Sequence, residues 1–252
     1  GPIIPFIAET GGLNAMIVDA TALPEQVADD VVMSAFRSAG QRCSALRLLV
    51  VQDDVADKMI EMIEGAAREL TIGDPRAIET HIGPVIDAAA KARLDGHISA
   101  MRKLGRVSFA GEAPASDGTY VTPHIISLKS VSELSQEHFG PILHVVRWKS
   151  GQLDKVIEAI EATGYGLTLG VHSRIETTVE QVTSRLSTGN IYVNRNIIGA
   201  VVGVQPFGGH GLSGTGPKAG GPHYLMRFAT EQTVTINTAA AGGNASLIAM
   251  GE

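Results

Sequence analysis

The sequence contains one cysteine, few aromatic residues and no long hydrophobic run. Because Cys43 is alone, the chain cannot form an internal disulfide or a cysteine-rich zinc site, and a reducing compartment is favoured. No window approaches 18 consecutive apolar residues, so we expect no membrane span. An excess of basic residues is also missing, since 20 Lys and Arg stand against 26 Asp and Glu. This acidic balance argues against nucleic-acid binding.

Several common catalytic signatures are missing as well. The chain has neither G-x-S-x-G nor G-x-x-x-x-G-K-[ST], which removes the usual serine-hydrolase and NTPase motifs. Gly209 to Gly214 fit G-x-G-x-x-G, but Pro206 precedes them and Pro217 follows, so we reject a dinucleotide-binding turn there. The eight histidines show no metal-ligand spacing, and His138 with His144 do not form H-E-x-x-H. The sequence therefore predicts no metal site.

Short β-branched runs alternate with longer segments of helical period. The predicted strands are 13–18, 46–52, 107–110, 124–128, 142–148, 167–172, 190–194 and 233–237, and the predicted helices are 24–38, 55–70, 88–104, 153–162 and 177–186. Such alternation indicates an α/β fold with a mostly parallel sheet flanked by helices. A glycine-rich segment, 199–221, interrupts the pattern, and a loop of this length is usually functional or disordered.

Cys43 is the sharpest candidate for chemistry. It follows a helix-like segment and Gly40, lies next to Arg42, and precedes a strand. A nucleophilic thiol needs partial exposure, positive charge nearby and backbone N–H groups, and this context could supply all three. On the residues alone, a buried structural cysteine is the more frequent outcome.

Two carboxylates are further candidates. Glu9 follows an apolar run and precedes Gly11-Gly12, so it could be a general base with a raised pKa; a solvated surface glutamate is the plainer alternative. Glu137 and His138 lie just before the strand at 142–148, where α/β sheets place ligand contacts. The plainer alternative for that pair is ordinary loop polarity.

Taken together, these segments resemble the aldehyde dehydrogenase superfamily. The four matching motifs are Ala8-Glu9-Thr10-Gly11-Gly12, Phe36-x-x-x-Gly40-Gln41-x-Cys43, Glu137-x-Phe139-Gly140-Pro141, and Pro206-Phe207-Gly208-Gly209 with Ser213-Gly214. The loop at Gly199-Ala200 and the serine after the cysteine are similar to those of glutamate semialdehyde (1-pyrroline-5-carboxylate) dehydrogenases. Segments 218–225 and 235–244 look like the carboxy-terminal end of bifunctional bacterial enzymes of proline catabolism.

The resemblance implies an NAD-dependent oxidation of L-glutamate γ-semialdehyde to glutamate in the bacterial cytoplasm. Cys43 would attack the aldehyde, its own backbone N–H would help to hold the oxyanion, and Glu9 would activate water to hydrolyse the thioester. The implied binding roles cover two groups. Glu137 and Phe139 would bind the nicotinamide end of NAD, whereas the substrate would be bound by Ser44, Gly199, Ala200 and Phe207.

The resemblance also implies a division of the chain and a set of partners. Residues 1–12 would end an NAD-binding domain, 13–228 would form the catalytic domain, and 229–252 would hold an oligomerisation strand and tail. In the bifunctional enzymes a proline dehydrogenase domain with FAD precedes these parts, so we expect the chain to be a carboxy-terminal piece that forms homo-oligomers. We expect the piece alone to bind NAD poorly and to be inactive.

Two alternatives remain at this stage. The first is a cysteine acyl-transfer enzyme that works without NAD; it needs a histidine base, for which His210 is a spatial candidate because residues 1–80 contain no histidine. The second is a non-catalytic module for dimerisation and tunnel capping, built on the strand at 233–237, since an unpaired edge strand can pair with another chain.

Overall fold

The computed structural model describes residues 1–114, 117–237 and Ser246. Its strands are β1 (Ala15–Val18), β2 (Leu48–Gln52), β3 (Val107–Ala110), β4 (His124–Leu128), β5 (Ile142–Trp148), β6 (Tyr165–Gly166), β7 (Thr168–His172), β8 (Asn190–Val193) and β9 (His210–Gly211). The helices are α1 (Pro24–Phe36), α2 (Asp53–Arg68), α3 (Ala88–Lys103), α4 (Leu153–Glu161) and α5 (Glu176–Arg185). The predicted α/β class is confirmed.

Seven strands form one sheet in the order β3-β4-β5-β2-β1-β7-β8. All neighbours pair in parallel except β3, which runs antiparallel to β4 at the edge. Every residue of β1, β2 and β7 is buried, as expected where helices cover both faces of a parallel sheet. A separate two-stranded ladder joins β6 to β9. The central strands therefore give a rigid frame for the loops at their ends.

The helix before the cysteine ends earlier than its sequence predicts. Helix α1 begins with Pro24 in its first turn, a position where the missing N–H costs nothing. It ends at Phe36, because Ser38 and Ala39 adopt left-handed φ angles of 55° and 53° in a short 3₁₀ turn, Arg37–Gly40. Left-handed conformations are uncommon outside glycine and often mark functional sites. This turn leads the chain directly to Cys43.

The segment 233–237, predicted as an oligomerisation strand, pairs with no strand of its own chain, and its pairing with a second copy stays a prediction. These residues lie in no strand or helix, and Val234 and Ile236 are largely exposed. Alternation of apolar and polar residues predicts a strand only where a partner strand is available, and no strand of the sheet takes this role. Most of the predicted tail, 238–245 and 247–252, lies outside the described residues. Across the described part of the chain, no helix combines the length and the apolar character needed to cross a membrane.

Candidate active site

Three of the motifs meet at one edge of the sheet. Glu9 to Asn14 lead into β1, Cys43 to Arg47 lead into β2, and Glu137 to Pro141 lead into β5. Because these strands are parallel neighbours, their amino ends lie at the same edge. The glycine-rich loop closes the site, since an isolated bridge pairs Glu9 with Gly214. The sequence predicted ligand contacts at strand ends, and the structure places these candidate residues at the amino ends.

Asn14 fixes the backbone around Cys43. Its side-chain Nδ2 donates hydrogen bonds to the carbonyl oxygens of Cys43 at 2.6 Å and Ala45 at 2.8 Å, and its Oδ1 accepts one from the Thr168 N–H at 3.1 Å. Asn14 is only 2% exposed, so each of these bonds lies in an environment where a lost partner is costly. Sequence reasoning missed this residue, although a lone amide before a fully apolar strand is a usable signal.

Arg47 joins the cysteine segment to the Glu137 segment. Its guanidinium donates to Glu137 Oε1 at 2.9 and 3.2 Å, to the carbonyl of Gly140 at 3.1 Å and to that of Arg42 at 3.1 Å. The side chain has no exposed surface. Burial lowers the pKa of Arg47, while the charge of Glu137 acts in the opposite direction. In the sequence this residue is an arginine at the start of an apolar strand, and the sequence-based prediction missed that signal.

Glu137 and Phe139 stand beside the same edge. The Glu137 carboxylate also accepts a hydrogen bond from the Gly12 N–H at 3.3 Å. A side chain at Gly11, whose φ is +124°, would collide with Glu137 Oε2, so the glycine pair is needed for this approach. Phe139 is 44% exposed and its ring centroid lies 5.2 Å from the Arg47 guanidinium carbon. The loop therefore presents a fixed carboxylate and an accessible aromatic face.

Glu9 is held by the glycine-rich loop. The Gly209 N–H donates to both carboxylate oxygens, at 3.1 and 3.3 Å, and Gly208 and Gly214 leave room for Oε1 that any larger residue would fill. Burial raises the pKa of the Glu9 carboxyl above its usual value, while the Gly209 hydrogen bond and the charge of His210 act in the opposite direction. A raised pKa makes a carboxylate a better general base.

The Cys43 thiol is exposed rather than part of the core. Partial burial of the sulfur raises the pKa of Cys43, and the charges of Glu137 and Glu9 raise it further; the N–H groups of Ser44 and Cys43 lower it. Arg42, expected to activate the thiol, instead donates from Nε to Ser38 Oγ at 2.9 Å. The free thiol is therefore mostly protonated at neutral pH and needs a base to react.

The four residues expected to bind substrate come from three separate segments of the chain. Ser44 is buried next to the cysteine, and its carbonyl oxygen accepts a hydrogen bond from Thr168 Oγ1 at 3.2 Å. Gly199 is exposed with a φ of +75°, and Ala200 after it is half-buried. Phe207 is half-buried and pairs through its backbone with Ala219. Their roles remain predictions.

Three histidines that are far apart in sequence meet near Glu137. His97 comes from α3, His138 from the loop before β5 and His144 from β5, and one ring nitrogen of each lies within 4.8 Å of the others. The spacing of the histidines along the chain gave no sign of this cluster. Spacing detects ligands within one element, whereas these three are assembled by packing of α3 against the sheet edge.

The raised pKa predicts how Cys43 reacts with iodoacetamide. The alkylation rate should rise with pH with a midpoint above the usual thiol value of about 8.5, because partial burial disfavours the thiolate and the charges of Glu137 and Glu9 oppose it further. Glu137→Gln should move the midpoint to lower pH, and Glu133→Gln, which removes a carboxylate paired with Arg106, should not. A wild-type midpoint below about pH 8, and so under the usual thiol pKa of about 8.5, would contradict the environment assigned to Cys43.

Three features define the class of protein: an exposed cysteine, a carboxylate surrounded by glycines and an anchored Glu-x-Phe loop. The chain belongs to the aldehyde dehydrogenase family, which it matches over residues 1–234. It is 58% identical to the bifunctional protein PutA of Salmonella typhimurium over 235 residues, which cover 90% of this chain and 18% of that protein. With 1-pyrroline-5-carboxylate dehydrogenase 1 of Halalkalibacterium halodurans it shares 38% identity over 231 residues, covering 91% of this chain and 44% of the relative.

Solved structures give the same result. A crystal structure of bifunctional proline utilization A (PutA) matches with a TM-score of 0.90 and 71% identity, covering 96% of this chain and 24% of that one. The 1-pyrroline-5-carboxylate dehydrogenase from Thermus with bound NAD matches with a TM-score of 0.82 and 35% identity, covering 88% of this chain and 43% of that one. The resemblance stated from the motifs is confirmed. The chain spans less than half of the length of each of these relatives.

Proposed function

We propose that this chain supplies the reacting residues for NAD-dependent oxidation of L-glutamate γ-semialdehyde to L-glutamate, the second step of proline catabolism. The observation that carries the proposal is the exposed Cys43 thiol, on a backbone held by Asn14 and within the electrostatic influence of Glu9. Relatives named as 1-pyrroline-5-carboxylate dehydrogenases and bifunctional PutA support the substrate. The reaction belongs to a longer protein, because the relatives are more than twice as long as the matched segment.

The first step uses Cys43 as the nucleophile. Its thiolate attacks the aldehyde carbonyl and forms a thiohemiacetal, whose oxyanion accepts a hydrogen bond from the Cys43 backbone N–H. The raised pKa of the free thiol means that its proton must leave when substrate binds. Because the thiol is exposed, this proton can pass to solvent, and Glu9 stays unprotonated for the later hydrolysis step. Asn14 keeps the backbone of this loop fixed throughout.

NAD, when bound, would serve as the acceptor for the hydride that leaves the former aldehyde carbon. Loss of this hydride raises the carbon to the oxidation level of a carboxylic acid. Residues of this chain fit its nicotinamide end, since the Glu137 carboxylate is oriented by Arg47 and Gly12 and the Phe139 ring is accessible. Glu137 would accept hydrogen bonds from ribose hydroxyls, and Phe139 would pack against the cofactor. No glycine-rich strand-to-helix turn for the pyrophosphate occurs among the described residues. The isolated chain should therefore bind NAD weakly and turn over slowly or not at all.

Glu9 completes the reaction by acting on water. Gly208, Gly209 and Gly214 surround the carboxylate, and no cation among the described residues forms an ion pair with it, so Glu9 can accept a proton from a water molecule that attacks the Cys43 thioester. Hydrolysis then releases the carboxylic acid and restores the thiol. The proton accepted by Glu9 passes to solvent through the exposed side of the site.

The loop at Gly199 and Ala200 is proposed to bind the α-carboxylate and α-amine of the substrate together with Ser44, and Phe207 is proposed to form a wall beside the aldehyde chain. Ala200→Asp should then raise the KM for glutamate semialdehyde at least about tenfold, because 1.4 kcal/mol of repulsion corresponds to that factor. The KM for propanal should stay unchanged. Val202→Asp, in the same loop but fully exposed, is the matched control, and equal effects of both variants would contradict the assignment.

The wider organisation stays a proposal. Residues 1–12 would end an NAD-binding domain, 13–228 would be catalytic, and 229–252 would pair with a second copy to form a homo-oligomer. A proline dehydrogenase domain with FAD would precede these parts in the complete protein. We place the reaction in the bacterial cytoplasm, where the single cysteine stays reduced.

The test of this function is NADH formation by the complete natural protein with glutamate semialdehyde and NAD. We expect a kcat/KM for this substrate at least roughly 100-fold above that for propanal, because two charged groups are recognised besides the aldehyde. Equal efficiency for both aldehydes would refute the substrate assignment. Absence of any NADH with either aldehyde would refute the dehydrogenase itself.

A further inference from the structure

The cluster of His97, His138 and His144 lies beside the proposed active site and has no part in the mechanism above. His97 Nε2 and His144 Nε2 are 2.9 Å apart. The rings of His97 and His138 stack with centroids 3.5 Å apart and an interplanar angle of 18°. Two of the three rings come from the regular elements α3 and β5, so the cluster has a rigid base.

The hydrogen bonds fix which nitrogen of His144 is free. His144 Nδ1 lies 3.1 Å from the carbonyl oxygen of Arg47, and a carbonyl can only accept, so Nδ1 carries the proton. In the neutral ring Nε2 is then unprotonated, and His97 must donate its Nε2 proton to it. A ring whose second nitrogen donates to a backbone carbonyl is the usual arrangement of metal-binding histidines.

The two facing nitrogens are close to the spacing that a metal ion requires. With zinc–nitrogen bonds of about 2.0–2.1 Å in a tetrahedral site, ligand nitrogens lie about 3.3 Å apart. The observed 2.9 Å separation needs to open by only a few tenths of an ångström. An ion would take the place of the proton shared by His97 and His144, and the His138 ring would turn out of its stack to supply the third nitrogen.

The electrostatic surroundings allow a cation. Burial lowers the pKa of all three rings, to about 4 for His138 and about 3 for His144, so they are neutral at neutral pH, which is the form that binds metals. The positive charge of Arg47 opposes a cation, but the ion pair with Glu137 at 2.9 Å compensates it. Arg93 also lines the neighbouring cavity.

An entry path is present as well. A cavity of about 450 Å³ reaches the cluster and is lined by Ala90, Arg93, Leu94, His97 and the segment 136–139. His97 and His138 are half-buried, whereas His144 is fully buried. A zinc ion held by three protein ligands has a fourth coordination position that water can fill. A water molecule in this cavity can occupy that position.

We propose that His97, His138 and His144 form a binding site for one divalent transition-metal ion of the zinc or copper type. Three imidazoles favour such ions over magnesium or calcium, which prefer oxygen ligands. The site shares no ligand with the reacting groups of the proposed dehydrogenase, since Cys43, Glu9 and the aldehyde take no part in it. An ion there would restrain the loop that carries Glu137 and Phe139.

The test is a titration of the complete, chelator-treated protein with zinc chloride, followed by calorimetry. It is performed in a Cys43→Ala background, because a free thiolate also binds zinc. We expect one equivalent that His97→Gln or His138→Gln weakens by roughly 100-fold or more, since loss of even an orienting partner costs roughly 10–100-fold. His223→Gln, which replaces an exposed histidine far along the chain, should leave the equivalent unchanged.

Circular dichroism of each variant shows whether the fold is kept, and electron paramagnetic resonance with cupric ion shows whether several nitrogens are coordinated. The proposal is overturned if no equivalent binds in the Cys43→Ala background. It is also overturned if folded His97→Gln and His138→Gln proteins bind zinc as tightly as their parent, or if the cupric spectrum lacks nitrogen couplings that depend on His97.

Discussion

Cys43→Ala should abolish NADH formation by the complete protein, with a fall in kcat of at least roughly 10⁴-fold, the scale on which removal of a covalent nucleophile acts. The reason is that the thiohemiacetal and the thioester both form on this sulfur. Alanine leaves the backbone bonds from Asn14 unchanged, because they go to carbonyl oxygens. The measurement is the initial rate of NADH formation with saturating glutamate semialdehyde.

A matched control keeps this result specific. Ser44→Ala changes the neighbouring residue, which is buried, and should affect KM far more than it affects the chemical step. The outcome also separates the remaining alternatives. Retained NADH formation in Cys43→Ala would refute the nucleophile. A wild-type protein that forms no NADH but hydrolyses a thioester, and that loses this hydrolysis in Cys43→Ala, would favour a cysteine acyl-transfer enzyme.

Arg47→Met should have the largest effect on stability, a loss of about 3–5 kcal/mol, as is typical when one partner of a buried ion pair is removed. The side chain is fully buried and the Glu137 carboxylate is mostly buried. The substitution also removes donors from the carbonyl oxygens of Gly140 and Arg42. Urea unfolding can be followed by Trp148, the single tryptophan of the chain, which is buried in β5.

Two controls locate the cause. Arg106→Met removes an arginine whose pair with Glu133 is partly open to solvent and should cost clearly less, because exposed pairs contribute little. In the double variant Arg47→Met/Glu137→Gln, the uncompensated negative charge is gone, so part of the loss should be recovered. An Arg47→Met loss no larger than that of Arg106→Met would contradict the role of Arg47 in joining the two site segments.

The sequence predicted the fold class and the approximate place of every strand of the main sheet. Apolar runs such as 48–52 are buried on both faces, and this burial produces the pattern in the sequence. The prediction extended α1 to Ser38 because composition carries no sign of the left-handed turn at Ser38 and Ala39. It also assigned an oligomerisation strand at 233–237, which pairs with no strand of its own chain; its pairing with a second copy stays a prediction.

The sequence predicted the motif residues of the candidate site but not the residues that hold them in place. Cys43, Glu9 and Glu137 stood out because glycines and charges surround them in sequence. Asn14 and Arg47 act through contacts with segments 29 to 154 residues away, which no local pattern reports. The histidine cluster was missed for the same reason, since His97 and His144 come from separate elements.

The most direct test of the central claim is peptide mass spectrometry of the complete Glu9→Gln protein after incubation with NAD and glutamate semialdehyde. Glutamine keeps the size of Glu9 but cannot take a proton from water, so the thioester should accumulate. The account predicts an acyl adduct on the peptide that contains Cys43, formed with one equivalent of NADH and absent without NAD. One equivalent of NADH with unmodified Cys43 and an adduct on another residue would contradict it.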